Sequence, residues 1–347
     1  MIGESCWNRT ISVRIDKKTT TITREKMTSN IPKLKPVYTY ILVVFSMLFW
    51  GMSFVWSKIA LDYYDPITIL ILRLILSSVL LFSGLAIVGR RVKISRKDLK
   101  LFMLSALFNP FLYFLGENYG LKFSTPTVTA VIIATIPVFT PIFAWFYFKE
   151  RLSLLNIFGL VISFSGVLLM LLDNDYSLSI SPIGLGWLSL AVVTAVFYSV
   201  LLKKLASRYD AFLIIAWQNL IGAIYFLPLF FIFDFQHFLT VRPNAELISS
   251  LVLLAVFASS LAFVFFTISS REIGISKTNL FTNLIPVFTA VFSFFILGEL
   301  FDTRKMLGMM VVIGGVLLSQ ISRDHKIFSV YRYFLFGKKD SGDKEGG

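Results

Sequence analysis

The chain has 347 residues, of which 56% are hydrophobic and 15% charged, with a mean hydropathy of +0.77. That balance excludes a water-soluble enzyme, in which about 25% of residues would be charged. The net charge of +13 would suggest nucleic-acid binding in a soluble protein. Here the basic residues collect in tails and alternate loops, so the charge is read as a marker of orientation in a lipid bilayer, with no nucleic-acid partner.

In chain order, residues 1–36 form a polar tail with eight Lys or Arg and no apolar run of signal-peptide type. Met27 with its basic leader would also serve as a start, so the first 26 residues are given no function. Crossing the hydrocarbon core takes about 20 apolar residues per helix. Apolar runs between charged or turn-rich punctuation predict ten such spans, near 37–57, 66–88, 100–121, 126–148, 154–172, 183–202, 211–233, 247–270, 276–297 and 304–321. A second polar tail covers 323–347. With both tails in the cytosol, 27 of the 33 Lys and Arg fall on the cytosolic side and five on the other: Lys58, Lys122, Arg242, Arg304 and Lys305. The remaining one, Arg73, lies inside a span. This bias is the positive-inside pattern, and an odd number of spans would destroy it.

Asp173 and Asp175 divide the spans into two sets of five, giving repeats at 37–175 and 176–322. Without gaps, Ile136-Pro137-Val138-Phe139-Thr140 matches Ile285-Pro286-Val287-Phe288-Thr289, and at the same offset Glu150 matches Glu299, Gly159 matches Gly308 and Gly166 matches Gly315. A slightly different offset pairs Lys58 with Lys203, Asp65 with Asp210 and Arg73 with Gln218. Because five is odd, the second unit enters the membrane in the opposite sense. The expected fold is therefore an all-α integral membrane protein of ten transmembrane helices in two inverted five-helix repeats. This is the architecture of secondary transporters, in which exchange of the two halves' conformations switches the open side.

Phe49-Trp50-Gly51 with Phe54, an arginine in span 2, and Ile136-Pro137-Val138-Phe139 followed by Lys149-Glu150-Arg151-Leu152-Ser153 resemble the EamA-type branch of the drug/metabolite transporter superfamily. Leu297-Gly298-Glu299-Leu300 repeats that ending, with Leu300 where the first half has Arg151. The resemblance covers roughly residues 40 to 321. It implies a ten-helix carrier of the cell (inner) membrane with both termini cytosolic, exporting amino acids, metabolites or drugs.

Arg73 lies deep in span 2, where an arginine costs at least about 2.5–3.5 kcal/mol and should face the protein interior or a wet cavity. It is a candidate for binding a substrate carboxylate; bridging helices is the competing role. Asn109, Tyr113 and Glu117 recur every four residues along span 3 and should line a cavity. Glu117 is the proton-coupling candidate, since a carboxylate withdrawn from water is costly to keep charged and so is suited to taking up a proton; pairing with Lys122 is the alternative. Trp50, Gln218, Asn279 and Asn283 complete the candidate substrate-binding set, with interhelical bonding as the other role of the amides. Pro137 and Pro286 are candidate hinges and Pro141 a further kink. Gly159, Ser163, Gly166, Gly308 and Gly315 offer small faces for close helix packing, within the fold or between the two copies of a homodimer. Trp56 and Tyr63 are expected among interfacial anchors.

One cysteine, Cys6, and two histidines, His237 and His325, both outside the spans, give no metal site or catalytic cluster. No G-x-x-x-x-G-K-[ST] loop is present, and no cofactor is expected. The expected protein is a secondary transporter of a small organic solute, outward by alternating access. The alternatives are a scaffold or sensor without transport, and an intramembrane lipid-modifying enzyme.

Overall fold

The computed structural model describes residues 36–89, 93–139, 154–171, 180–274, 278–279, 281–300 and 302–321. Both tails, the Lys149–Ser153 motif, Pro141, Asp173 and Asp175 lie outside the described residues. Among those described there is no strand and there are ten helical segments: α1 Pro36–Leu61, α2 Pro66–Ile87, α3 Arg96–Lys122, α4 Pro126–Phe139, α5 Leu154–Leu171, α6 Pro182–Ala206, α7 Ala211–Thr240, α8 Ala245–Ile273, α9 Phe281–Leu297 and α10 Thr303–Ile321. Six of them, α1 to α3 and α6 to α8, are long and apolar enough to cross a membrane.

Punctuation read from the sequence sets the starts. Pro66, Pro126 and Pro182 each occupy the first helical turn, where a missing N–H costs nothing. Thr125, Ser181, Asp210 and Asn244 accept backbone N–H groups as N-caps of α4, α6, α7 and α8. Gly298, at φ +66°, ends α9 in the left-handed conformation that glycine adopts without strain. Outward faces carry large apolar side chains, among them Ile75, Val79, Phe158, Phe164, Phe231 and Phe295. A bilayer is the solvent that suits them.

The helices pack in antiparallel pairs. At one end of the bundle, Lys58 at the end of α1 donates to Leu121 O and Ser124 O at the end of α3, and Tyr63 donates to Glu246 at the start of α8 at 2.7 Å. Trp187, near the start of α6, stacks on Tyr119 at this same end. At the opposite end, Tyr209 after α6 donates to Asp98 at the start of α3 at 2.7 Å, and Arg208 pairs with Asp98 at 2.8 Å. Both tyrosines are held above the usual phenol range, Tyr209 first by burial and then by its bond to Asp98, Tyr63 first by its bond to Glu246. Thus α1 and α6 run in opposite directions past α3. Likewise α2 meets α7 head to tail, with Thr68 against Asp234 near one end and Phe82 against Trp217 towards the other.

The small faces of α5 and α10 are consumed inside the fold, against each other. A Cβ added at Gly166 would stand 2.8 Å from Gly308 O, and one added at Gly315 would stand 2.8 Å from Gly159 O. In the sequence alignment Gly159 corresponds to Gly308 and Gly166 to Gly315, so the contact is reciprocal: each glycine meets the counterpart of the other, as at an isologous two-fold interface. Gly315→Val should force these helices apart, costing about 1–3 kcal/mol as overpacking. A fall in the thermal unfolding temperature in detergent, absent for Val at exposed Gly314, would check it. Trp56 does not face lipid as an interfacial anchor should: it is buried and packs near Phe257 of α8, because α8 crosses α1 along that side.

Candidate functional site

Between the helices lies a cavity of about 760 Å³ of atom-free space, its mouth included, to which α1, α2, α3, α4, α6, α8 and the start of α9 contribute. Its wall is largely aromatic. Trp50 meets Phe263 edge-on with ring centres 4.9 Å apart and packs on Phe266 at 5.1 Å, while Phe114 meets Phe263 at 5.9 Å. Offset and edge-on contacts of this kind stabilise rings beyond the area they bury.

Arg73 and Glu117 reach this apolar wall as buried charged groups, 2% and 7% exposed. The Arg73 guanidinium carbon stands 4.4 Å above the centre of the Phe114 ring, and Nε donates to the Ser259 hydroxyl at 2.8 Å. A guanidinium over a ring face is attracted by the ring quadrupole, more strongly when desolvated. Among the described residues no hydrogen bond engages its terminal amino groups. Glu117 Oε2 is buried without a hydrogen-bond partner. The two side chains line the same space, and no ion pair among the described residues joins them. Lys122, the alternative partner of Glu117, is taken by Asp65 instead.

The four-residue stripe on α3 is present: Asn109, Tyr113 and Glu117 all line the cavity. It persists across a break in the helix, since Asn109 is extended (φ −148°, ψ 120°), precedes Pro110 through a cis bond and lies within a π-helical stretch, Leu107–Leu112. Trp50, Asn279 and Pro137 also line the cavity, as does Thr282, whose hydroxyl donates to Asn279 O at 2.7 Å.

Three expected site residues do not reach it. Gln218 is buried in α7 and bonded between helices: Nε2 donates to Ser105 of α3 at 2.7 Å and Oε1 accepts from Tyr198 of α6 at 3.2 Å. It acts behind the wall, through Tyr198, which does line the cavity. Asn283 is buried and is not among the residues that line the cavity, although Thr282, one residue before it, is. Pro286 is buried in the first turns of α9, and the neighbouring Ile285 lines the space instead. Each of the two prolines follows a break in its helix. In α4 the helix is interrupted at Ala134–Thr135, just before Pro137, and α9 changes from a 3-10 turn at Phe281–Asn283 to α-helix just before Pro286.

Sequence reasoning missed Ser53, Tyr198, Ser199 and most of the aromatic wall, including Phe114, Phe263 and Phe266. Phenylalanine is so abundant here, with 36 residues, that no spacing separates cavity rings from lipid-facing ones. Ser259 of α8 had no signal beyond being polar within a span.

The EamA-like transporter family is matched twice, over residues 37–172 and 182–321. An uncharacterized transporter of Archaeoglobus fulgidus is 26% identical over 283 residues, covering 81% of this chain and 96% of that protein. The uncharacterized transporter YvbV of Bacillus subtilis is 28% identical over 293 residues, covering 83% and 92% respectively. A solved crystal structure at 16% identity superposes with a TM-score of 0.62 over 82% of this chain and 99% of that one, which establishes a shared fold alone.

Proposed function

Because the chain belongs to the EamA-like transporter family, we propose that this multi-pass membrane transporter carries a small organic anion outward by alternating exposure of the central cavity. The observation that carries the reading is the buried pair Arg73 and Glu117 on one aromatic-walled cavity built from both halves of the chain. A buried guanidinium with an unengaged amino fork is suited to a carboxylate or phosphate. A buried carboxylate beside it, whose Oε2 has no hydrogen-bond partner, is suited to exchanging a proton.

Two inverted five-helix repeats, 37–175 and 176–322, are the framework we assign to the motion. The double family match, the opposite directions of α1 and α6 past α3, the antiparallel pairing of α2 with α7, and the reciprocal glycine contact of α5 with α10 support it. Inverted halves can exchange conformations so that one central site faces each side in turn. Pro137 and Pro286, each just after a break in an equivalent helix, are the bending points in this scheme. At the end where Lys58 caps α3, Glu299 accepts from Thr127 of α4 at 2.9 Å, tying the two halves together. Asn279 and Ser199 extend the cavity lining toward the opposite end, which the charge bias assigns to the cytosol.

Uptake and counterflow in proteoliposomes, with a panel of amino acids, organic acids and neutral metabolites, tests the function. Movement of an anionic solute above empty liposomes is expected; no movement under any gradient would overturn the transport reading. For orientation, Lys97→Cys and Ala245→Cys on a Cys6→Ser background should react with an impermeant maleimide from the cytosolic and outer faces respectively. Labelling of both from one side would reject the inverted frame.

A further inference from the structure

Around Arg73 the interior holds a compact set of polar side chains that the transport reading leaves unexplained. Asn219 of α7 donates through Nδ2 to Ser259 O at 2.9 Å and to Ser77 Oγ at 2.7 Å. Ser77 shares a hydrogen bond with Ser260 at 2.6 Å, and Ser260 donates to Ala255 O at 2.7 Å. Ser259 Oγ accepts from Arg73 Nε. Ser77, Ser259 and Ser260 are essentially inaccessible and Asn219 is 4% exposed. In a medium without water, each such group costs free energy unless it is satisfied.

The backbone explains why the set forms here. Arg73 and Ser77 are four residues apart on α2 and share a face. Ser259 and Ser260 lie in the π-helical stretch Leu254–Ala262 of α8, in which the carbonyls of Ala255 and Ser259 also accept side-chain hydrogen bonds. Asn219 ties the three helices by binding both a backbone carbonyl of that stretch and the Ser77 hydroxyl.

We propose that Asn219, Ser77, Ser259 and Ser260 form a positioning device that fixes the Arg73 guanidinium on the Phe114 ring with its amino fork toward the cavity, and so set the preference for an anionic solute. The inference rests on the reading of Arg73 as the anion-binding group. Ser259 holds Nε, the one donor that does not belong to the fork; Phe114 holds the plane; and Asn219 fixes the Ser259 backbone. Binding of a planar carboxylate then requires no reorganisation of the guanidinium, which is where preorganisation increases affinity.

The test uses the full chain in nanodiscs, with benzoate and its neutral isostere benzamide as probes in calorimetric titrations. Ser259→Ala and Asn219→Ala should each raise the Kd for benzoate about ten-fold and leave benzamide unchanged, and Ser259→Thr, which keeps the hydroxyl, should restore benzoate to within about two-fold of wild type. Equal weakening of both probes in Ser259→Ala would mean general loss of packing and overturn the proposal. If Arg73→Ala abolishes benzoate binding while Ser259→Ala leaves it unchanged, positioning fails and the anion site stands. If the wild type does not bind benzoate, or Arg73→Ala binds it normally, the anion site fails and the positioning proposal falls with it.

Discussion

Arg73→Ala is expected to lower the initial rate of anionic solute uptake into proteoliposomes by about 100-fold, equivalent to about 2.7 kcal/mol. The magnitude follows from a charge-assisted, two-pronged hydrogen bond in a site withdrawn from water, each such bond contributing about 1.5–3 kcal/mol. The substitution also strands Glu117, a buried carboxylate whose Oε2 already lacks a hydrogen-bond partner, with no cation on its cavity. Arg73→Lys keeps a charge but loses the fork, the stacking on Phe114 and the Nε bond to Ser259. It should recover no more than about ten-fold of the loss, because lysine presents a point charge on a flexible stem. The measurement is radiolabelled uptake at matched protein incorporation, with thermal unfolding confirming that each variant is folded. Uptake within about three-fold of wild type in Arg73→Ala would remove the arginine from the binding site and leave it as a bridge between α2 and α8.

Glu117→Gln should abolish the response of transport to an imposed pH gradient while leaving equilibrium exchange at uniform pH within about three-fold. Glutamine preserves the size and much of the polarity of the side chain but cannot give or take a proton. The expectation rests on position. Glu117 shares the cavity with Arg73, its Oε2 has no protein partner, and Lys122 is committed to Asp65. A solute and a proton that occupy one cavity are coupled by electrostatics without a relay. Uptake driven by a pH gradient at the wild-type rate in Glu117→Gln would exclude this residue as the coupling group.

How far the sequence carries these expectations differs from one feature to another. Arg73 and the Asn109, Tyr113 and Glu117 stripe are legible because charge and amide are rare within apolar spans, and because helical spacing survives even the extended backbone at Asn109. Helix starts are legible for a local reason, since Pro66, Pro126 and Pro182 act within a single turn. Gln218 was misplaced because a buried amide looks the same in sequence whether it faces a cavity or two neighbouring helices; only the positions of Ser105 and Tyr198 decide, and they come from other spans. Asn283 and Pro286 lie beside the lining residues Thr282 and Ile285 without lining the cavity themselves, a distinction of one residue that the apolar run of the span does not mark. The aromatic wall was invisible for a different reason: rings against lipid and rings against a cavity satisfy the same hydropathy. Trp56 shows the same ambiguity, reading as an interfacial anchor and packing instead near Phe257. The π-helical stretch in α8, where Ser259 meets Arg73, has no marker in its own residues.

The central claim is that one cavity serves both sides of the membrane. Ser199 lines it from α6, so the most direct measurement is the reaction of Ser199→Cys, on a Cys6→Ser background, with a membrane-impermeant methanethiosulfonate added separately to inside-out and right-side-out vesicles. Modification from both sides is predicted, with saturating transported solute slowing it from each. Modification from one side only, at a rate unaffected by every solute in the panel, would contradict alternating access and leave a membrane protein with a pocket and no transport cycle.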